Sequence, residues 1–140
     1  MRVFLDTSVL VAALIEDQPG HLPSLQAVTG GEPGWISVHS LAECFATLTG
    51  GRLSKRLTPG EASTILEALA KRVRLVRLTE AEYLASLRVA EAVGARGGAI
   101  YDVLILSCAR QAQAERILTL NHRHFASFAP DLAGLIATPG

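Results

Sequence analysis

The chain lacks an excess of charge of either sign. Its 140 residues contain 13 Lys and Arg against 13 Asp and Glu, so the formal net charge at pH 7 is zero. A neutral protein has no global basic field to attract nucleic acid, and any such contact must come from local patches. Cysteine is also scarce: Cys44 and Cys108 lie in apolar patterns without the spacing of a zinc site or a redox pair. We expect both to be reduced core residues.

Long apolar runs are missing as well. No stretch reaches the roughly 20 apolar residues that a membrane span needs. The N-terminus, residues 1–6, meets a charge too early for a signal peptide. We therefore expect a cytoplasmic protein with no membrane segment. What is present is an ordinary globular composition, 49% hydrophobic and 19% charged, which predicts one domain over residues 1–140.

Short apolar runs alternate with helical patterns, which is typical of a parallel α/β sheet. The predicted strands are Arg2–Leu5, Trp35–Val38, Arg74–Leu78 and Arg116–Leu120. Capping boxes at Thr58 and Thr79 predict helices that start near Pro59 and Glu80. Gly94 and the following glycine loop, residues 97–98, end the second helix before a helix that begins at Asp102. Residues 30–34 indicate a turn, and residues 137–140 a loose end.

Three carboxylates stand in apolar surroundings. Asp6 ends the run Val-Phe-Leu, Glu43 lies in Ser-Leu-Ala-Glu-Cys-Phe, and Asp102 precedes Val-Leu-Ile-Leu. Buried acids need a partner, and no Lys or Arg flanks any of the three. A divalent metal ion would supply the missing positive charge. Asn121, which follows the fourth predicted strand, offers one more oxygen ligand.

The positions of these residues predict a common site. In open α/β sheets, ligands bind beyond the carboxyl ends of the strands. Asp6 and Asn121 follow strands, Glu43 lies about one turn into the helix after another strand, and Asp102 opens a buried helix. Mg²⁺ and Mn²⁺ prefer such oxygen ligands, orient a phosphodiester and lower the pKa of a bound water. The set therefore indicates a metal-dependent nuclease.

Each of these residues also has a purely structural explanation. Asp6 and Asp102 could be helix N-caps, because Asp is among the best capping residues. Glu43 could lie at a solvated edge of its helix. Asn121 could be a turn residue, as Asn after a strand usually is. The nuclease interpretation rests on the four residues taken together.

Phosphate-binding candidates are more dispersed. Arg123 follows Asn121 and would lie beside the metal site, so it is a candidate for RNA contact. A basic turn follows the Glu43 helix and adds Arg52, Lys55 and Arg56. His122 and His124 could suggest zinc, but two His two residues apart without a third ligand nearby are usually surface residues.

Four motifs, in order and at similar spacing, resemble the PIN domain family, and specifically the small VapC-type toxins of bacterial toxin–antitoxin pairs. They are Phe4–Leu10, Ser40–Glu43, Tyr101–Ile105 and Ile117–Phe125. The resemblance covers essentially the whole chain. It implies a PIN-like α/β fold with a central parallel sheet of about four or five strands flanked by helices.

The resemblance also implies a function. Asp6, Glu43 and Asp102 would hold Mg²⁺ or Mn²⁺, and the protein would be an endoribonuclease that hydrolyses RNA with a metal-activated water. Many relatives place an Asp where Asn121 stands, and an uncharged amide leaves open whether one metal binds or two. Ser8 and Thr119 resemble polar residues around the site, where they could hold a metal-bound water or the phosphate.

The same resemblance implies partners: RNA, a cognate antitoxin protein and a second copy in a homodimer. Three other functions remain open. One is a PIN ribonuclease in RNA processing or turnover without an antitoxin, and another is a catalytically weak PIN-like binding module, which the three retained acids disfavour. The third is a phosphotransfer enzyme similar to haloacid dehalogenases with Asp6 as nucleophile, but those need a second acid where this chain has Ser8.

Overall fold

A computed structural model of the protein describes residues 1–140. It contains one five-stranded sheet in the order β3-β2-β1-β4-β5, and every pairing is parallel. The strands are β1 Val3–Leu5, β2 Trp35–Ser37, β3 Arg74–Val76, β4 Arg116–Leu118 and β5 Ile136–Ala137. The predicted α/β class and the four-to-five-strand parallel sheet are confirmed.

Seven α-helices and one 3₁₀ helix flank this sheet. They are α1 Thr7–Leu14, α2 His21–Thr29, α3 Val38–Thr49, α4 Pro59–Arg72, α5 Glu80–Val93, α6 Ala99–Gln111 and α7 His122–Phe128, followed by the 3₁₀ helix Pro130–Leu135. None of the helices is both long and apolar enough to cross a membrane.

The core lies on both faces of the sheet. Successive side chains of a strand point to opposite faces, so the fully buried Phe4 and Leu5 of β1 enter different apolar clusters. Leu5 packs in a cluster that includes Leu10 of α1, and Phe4 in one that includes Ile105 of α6. Burial on both faces explains why β1, the central strand of the sheet, is a continuous apolar run. Cys44 and Cys108 are buried and unpaired, as predicted.

Strands β2, β3 and β4 end earlier than predicted, whereas β1 ends at Leu5 as predicted and begins one residue later, at Val3. Val38 begins α3 instead of ending β2, because Ser37 caps that helix by accepting from the His39 amide at 3.1 Å.

The prediction of a loose end from residue 137 was wrong for Ala137. Ile136 is buried, and the Thr119 amide donates to the Ala137 carbonyl at 3.0 Å, so this segment pairs with the otherwise open edge of β4.

The helix starts that were predicted from capping boxes are confirmed. Thr58 and Thr79 are the N-caps of α4 and α5. In each case the Thr hydroxyl accepts from the amide of the Glu three residues later, and that Glu side chain accepts from the Thr amide. Gly94 ends α5 in the left-handed conformation, with φ +71°. Helix α6, however, begins at Ala99 and not at Asp102. Asp102 therefore lies inside the first turn and is not the N-cap.

Candidate active site

The carboxyl ends of β1 and β4, which are neighbours in the sheet, bring Asp6 and Thr119 together. Asp6 is only 3% exposed. Its Oδ2 accepts hydrogen bonds from Ser8 Oγ at 2.6 Å and from Thr119 Oγ1 at 2.9 Å. Asp6 occupies the N-cap position of α1, yet its side chain makes no capping hydrogen bond. The two hydroxyls are therefore what holds this acid, although the backbone amides of Thr7 and Ser8 also act to lower its pKa.

The two hydroxyls that hold Asp6 are themselves fixed by the backbone. The Leu120 amide donates to Ser8 Oγ, and the Asn121 amide donates to Thr119 Oγ1, both at 3.0 Å. Because each hydroxyl oxygen already accepts from an amide, its single proton is directed at the carboxylate. Ser8 and Thr119 thus serve here to position Asp6. With its proton on the carboxylate, neither hydroxyl has a second proton to donate to a phosphate in this conformation.

Glu43 lies in the second turn of α3 and is half-buried. Thr7 Oγ1 donates towards Glu43 Oε1 at 3.1 Å and towards Ser40 Oγ at 2.9 Å. With one proton, the Thr7 hydroxyl serves one acceptor at a time. Neither Thr7 nor Ser40 was predicted to belong to the site. Thr7 could have been found from its position between Asp6 and Ser8, because this position places its hydroxyl at the start of α1.

Asp102, in the first turn of α6, is paired with His124, which was expected to be a surface residue. His124 Nε2 lies 3.0 Å from Asp102 Oδ2. The imidazole also packs edge-on against Phe128, with ring centroids 4.9 Å apart. His124 therefore belongs to the site. Its neighbour Arg123 is exposed and forms no ion pair or side-chain hydrogen bond.

All three acids bind protons more tightly than a free carboxylate does. Burial raises the pKa of Asp6, although its hydroxyl donors oppose this. Burial also raises the pKa of Glu43; the hydrogen bond from Thr7 lowers it, and the charges of Asp6 and Asp102 raise it again. Burial, with the charge of Asp6, raises the pKa of Asp102 to about 6, against the opposing effect of His124. The three carboxylates thus repel one another, and none is paired with Lys or Arg.

The chemistry of this donor set fits a hard divalent cation. Carboxylate oxygens without a compensating cation are the ligands that Mg²⁺ and Mn²⁺ prefer. In the present conformation each acid is hydrogen-bonded separately, and no group of three or more His, Cys, Asp or Glu side chains is positioned to hold an ion. Binding would therefore require these side chains to turn towards a common point.

The remaining predicted residues are spread more widely. Asn121 is exposed at the N-cap of α7, and its side chain makes no capping hydrogen bond, so its amide is free. Arg52, Lys55 and Arg56 are exposed in the turn after α3. Lys55 lines a cavity of about 590 Å³ with residues 14–17, at the C-terminal end of α1. Asp6 precedes the first turn of that helix, about 12 Å away. Lys55 therefore lies at the end of α1 opposite to Asp6.

Comparisons with known proteins agree with this architecture. The family model for the PIN domain matches residues 3–129. No curated protein sequence matches the chain. Among solved structures, the chain is similar to VapC20 of Mycobacterium tuberculosis, described as a sarcin-ricin loop cleaving toxin. The identity is 16%, the TM-score is 0.71, and the match covers 89% of this chain and 94% of that one.

Two further structures have the same fold. VapBC2 from Rickettsia felis, bound to a DNA fragment from its promoter, is 19% identical with a TM-score of 0.68, and all of both chains is covered. FitAB, bound to the IR36 DNA fragment, is 16% identical with a TM-score of 0.65, and 98% of this chain and 94% of that chain are covered. At these identities the likeness concerns the fold alone.

The fold and the site together define an α/β protein with a parallel sheet and buried acids beyond the ends of its strands. The chain belongs to the PIN domain family, because the family model covers all but the ends of the sequence. The resemblance to PIN domains that the motifs indicated is thereby confirmed.

Proposed function

We propose that this protein is a metal-dependent endoribonuclease. The observation that carries the proposal is the set of three mutually repelling carboxylates, Asp6, Glu43 and Asp102, which no Lys or Arg neutralises in a PIN domain. These residues would hold Mg²⁺ or Mn²⁺. A bound ion of this kind neutralises the charge of a phosphodiester and lowers the pKa of a water, which makes that water a nucleophile at neutral pH.

The other residues of the site have supporting roles in this proposal. Ser8 and Thr119 keep Asp6 in place through two hydrogen bonds, and Thr7 does the same for Glu43. Asn121 contributes an uncharged oxygen at the position where a fourth acid would add charge. Arg123, on the first turn of α7, contacts an RNA phosphate. Arg52, Lys55 and Arg56 lie farther away and would contact only a longer RNA.

The proposal extends to a toxin–antitoxin system. The similar solved structures include the toxin VapC20 and the complexes VapBC2 and FitAB. By that likeness the chain is a VapC-like toxin that acts in the cytoplasm, forms a homodimer and is held inactive by a cognate antitoxin. The antitoxin would lay an apolar helix near α3, where Phe45 is exposed, and place a basic side chain over the acids.

The direct test is cleavage of single-stranded RNA by the purified protein with Mg²⁺ or Mn²⁺. Asp6→Asn and Asp102→Ala should each abolish cleavage, because both remove a charged oxygen ligand. Glu67→Gln is the matched control, since Glu67 is an exposed acid of α4 without an ion pair. Circular dichroism checks that each variant is folded. Full activity of the wild type in excess chelator would contradict the metal mechanism.

The antitoxin is tested separately by co-expression with the neighbouring small gene. Expression of the wild type alone should arrest growth, Asp6→Asn should relieve the arrest, and co-expression should yield a stable complex. A protein that is harmless alone and forms no complex, yet cleaves RNA, would be a PIN ribonuclease without an antitoxin.

A further inference from the structure

Beside the proposed reaction site lies a cavity whose role the carboxylates do not explain. Its volume is about 370 Å³, which is within the usual size of a ligand pocket. It is lined by His39, Ala42, Glu43, Ala46, Thr47 and Tyr101. Glu43 thus belongs both to this cavity and to the three coupled acids, and Tyr101 immediately precedes Asp102. The cavity adjoins the proposed reaction site.

Two aromatic rings are stacked in the wall of this cavity. The ring centroids of His39 and Tyr101 are 4.9 Å apart, and their planes differ by 15°. Tyr101 nevertheless remains 41% exposed. The stack joins α3 to the first turn of α6, so the tyrosine ring is held in place before any ligand arrives. A ring ordered in advance binds a second flat group with little further loss of entropy.

The charge of the cavity restricts what it can bind. None of its lining residues is Lys or Arg, and Glu43 contributes an acid, so a phosphate or another anion is disfavoured. Ala42 and Ala46 are small and apolar, and the Thr47 hydroxyl offers one polar contact. The expected occupant is therefore flat, uncharged and partly apolar.

A substrate of the proposed nuclease carries such a group. Unpaired RNA bases stack on exposed aromatic side chains, and this is the usual way in which proteins bind single strands. A base is joined to its phosphate through one sugar. A phosphate located at the acids would therefore place an adjacent base within reach of Tyr101.

We propose that His39 and Tyr101 form a stacking site for an unpaired base next to the scissile phosphate. This inference rests on the proposed ribonuclease function. It adds a reason for preferring single-stranded or looped RNA, because a base within a duplex is not free to stack on a side chain.

The test measures stacking directly, without cleavage. A short single-stranded RNA that carries the fluorescent base 2-aminopurine is titrated into the Asp6→Asn protein in the presence of Mg²⁺. We expect quenching of the fluorescent base on binding. The additional substitution Tyr101→Ala should abolish the quenching and weaken binding about 5- to 150-fold, the range that loss of one base stack causes. Tyr101→Phe, which keeps the ring, should retain both.

Tyr83→Ala is the matched control. Tyr83 is an aromatic residue of α5 with 39% exposure, close to that of Tyr101, and it does not line this cavity. Its removal should change neither quenching nor affinity. Unchanged quenching in Tyr101→Ala would overturn the stacking site. A change of oligomeric state in that variant, seen by size-exclusion chromatography, would overturn it as well, because this face would then be a protein interface.

Failure of the underlying function gives a different result. If the wild type with Mg²⁺ or Mn²⁺ cleaves no RNA, the ribonuclease proposal and the stacking site fall together. If the wild type cleaves RNA and Tyr101→Ala cleaves it with the same kcat/KM, the stacking site alone is wrong.

Discussion

Each acid of the candidate site is held by an uncharged hydroxyl or by an imidazole, and none by a Lys or Arg. The pairs are Ser8 and Thr119 with Asp6, Thr7 with Glu43, and His124 with Asp102. A hydroxyl fixes the position of a carboxylate without cancelling its charge. The negative charge of Asp6 and Glu43 therefore remains available to a cation.

His124 should contribute to metal affinity through Asp102. A hydrogen-bond donor on one oxygen of a carboxylate fixes the direction in which the other oxygen faces the metal ion. Removal of such a donor typically lowers metal affinity by about 10- to 100-fold. We expect His124→Ala to weaken Mn²⁺ binding by about that factor, as measured by titration calorimetry. His124→Gln, which keeps a side-chain N–H, should restore part of it.

Arg123→Ala provides the control for this measurement. Arg123 is the exposed neighbour of His124 on α7 and forms no side-chain hydrogen bond, so its loss should leave Mn²⁺ affinity unchanged. Tighter Mn²⁺ binding by His124→Ala would show that the imidazole competes with the ion, contrary to this prediction.

At the residue scale the three acids could be singled out from the sequence, but two of their partners, Thr7 and His124, were missed. Asp6 and Glu43 could be singled out because burial of an acid within an apolar run is unfavourable unless the acid has a partner. The contact between His124 and Asp102 was not predictable, because it depends on how α7 packs against α6. That orientation is set by long-range packing and not by any local pattern around His124.

The elements place the site through the ends of very short strands. Strands β1 and β4 contain three residues each, and the polar residues that follow them lie side by side because the strands are parallel and in register, with Leu5 opposite Leu118. A slip of one residue would turn Asp6 away from Thr119. The register of this pair is therefore a requirement of the site.

Strand β5 should stabilise the site although it contains no site residue. Its Ala137 carbonyl accepts from the Thr119 amide at 3.0 Å, and the Ile136 carbonyl lies 3.0 Å from His122 Nε2. A chain that ends before Ile136 loses both contacts and the burial of that side chain. We expect a loss of stability of about 1.5–3 kcal/mol from the buried side chain alone, measured by urea unfolding. Mn²⁺ affinity should fall as well.

A shorter truncation is the control for β5. Removal of residues 138–140 leaves both strand residues in place, so stability and Mn²⁺ affinity should match those of the full chain. Equal stability of the two truncated chains would show that β5 contributes nothing to the fold.

Local signals predicted some elements well and others not at all. The starts of α4 and α5 were predicted correctly, because a capping box is complete within four residues. Strand β5 was missed because it has only two residues, and its pairing partner β4 lies 18 or more residues earlier in the chain. The start of α6 was placed three residues late, because Gly98 serves as its N-cap without a side-chain signal.

At the scale of the whole molecule, the proposed metal site lowers the stability of the ion-free protein. Folding raises the pKa of Glu43 above its ordinary value of 4.5, by burial and by the charges of Asp6 and Asp102, against the hydrogen bond from Thr7. A carboxyl group with a raised folded-state pKa binds its proton more tightly when folded, so stability falls as pH rises through this range. At neutral pH the ionised Glu43 therefore destabilises the folded chain.

Replacement of Glu43 by Gln should relieve this cost. The amide oxygen can still accept from Thr7, so the shape and the hydrogen bond are kept while the charge is lost. In chelator at pH 7, Glu43→Gln should show a higher Tm than the wild type. The difference should shrink as pH falls towards 4.5, because the folded wild-type acid, with its pKa raised above that value, becomes protonated on the way. Glu67→Gln, at an exposed acid of α4, should show neither effect.

Added Mn²⁺ should reverse this order of stability. An ion that binds only the folded state stabilises the protein by RT ln(1 + [L]/Kd), which is about 2.7 kcal/mol at a concentration 100 times Kd. The wild type, with three charged ligands, has the lower Kd and should gain more than Glu43→Gln, so its Tm should become the higher of the two. If Glu43→Gln instead melts below the wild type in chelator and gains equally from Mn²⁺, then Glu43 is a structural residue, and the ion is bound by other residues or not at all.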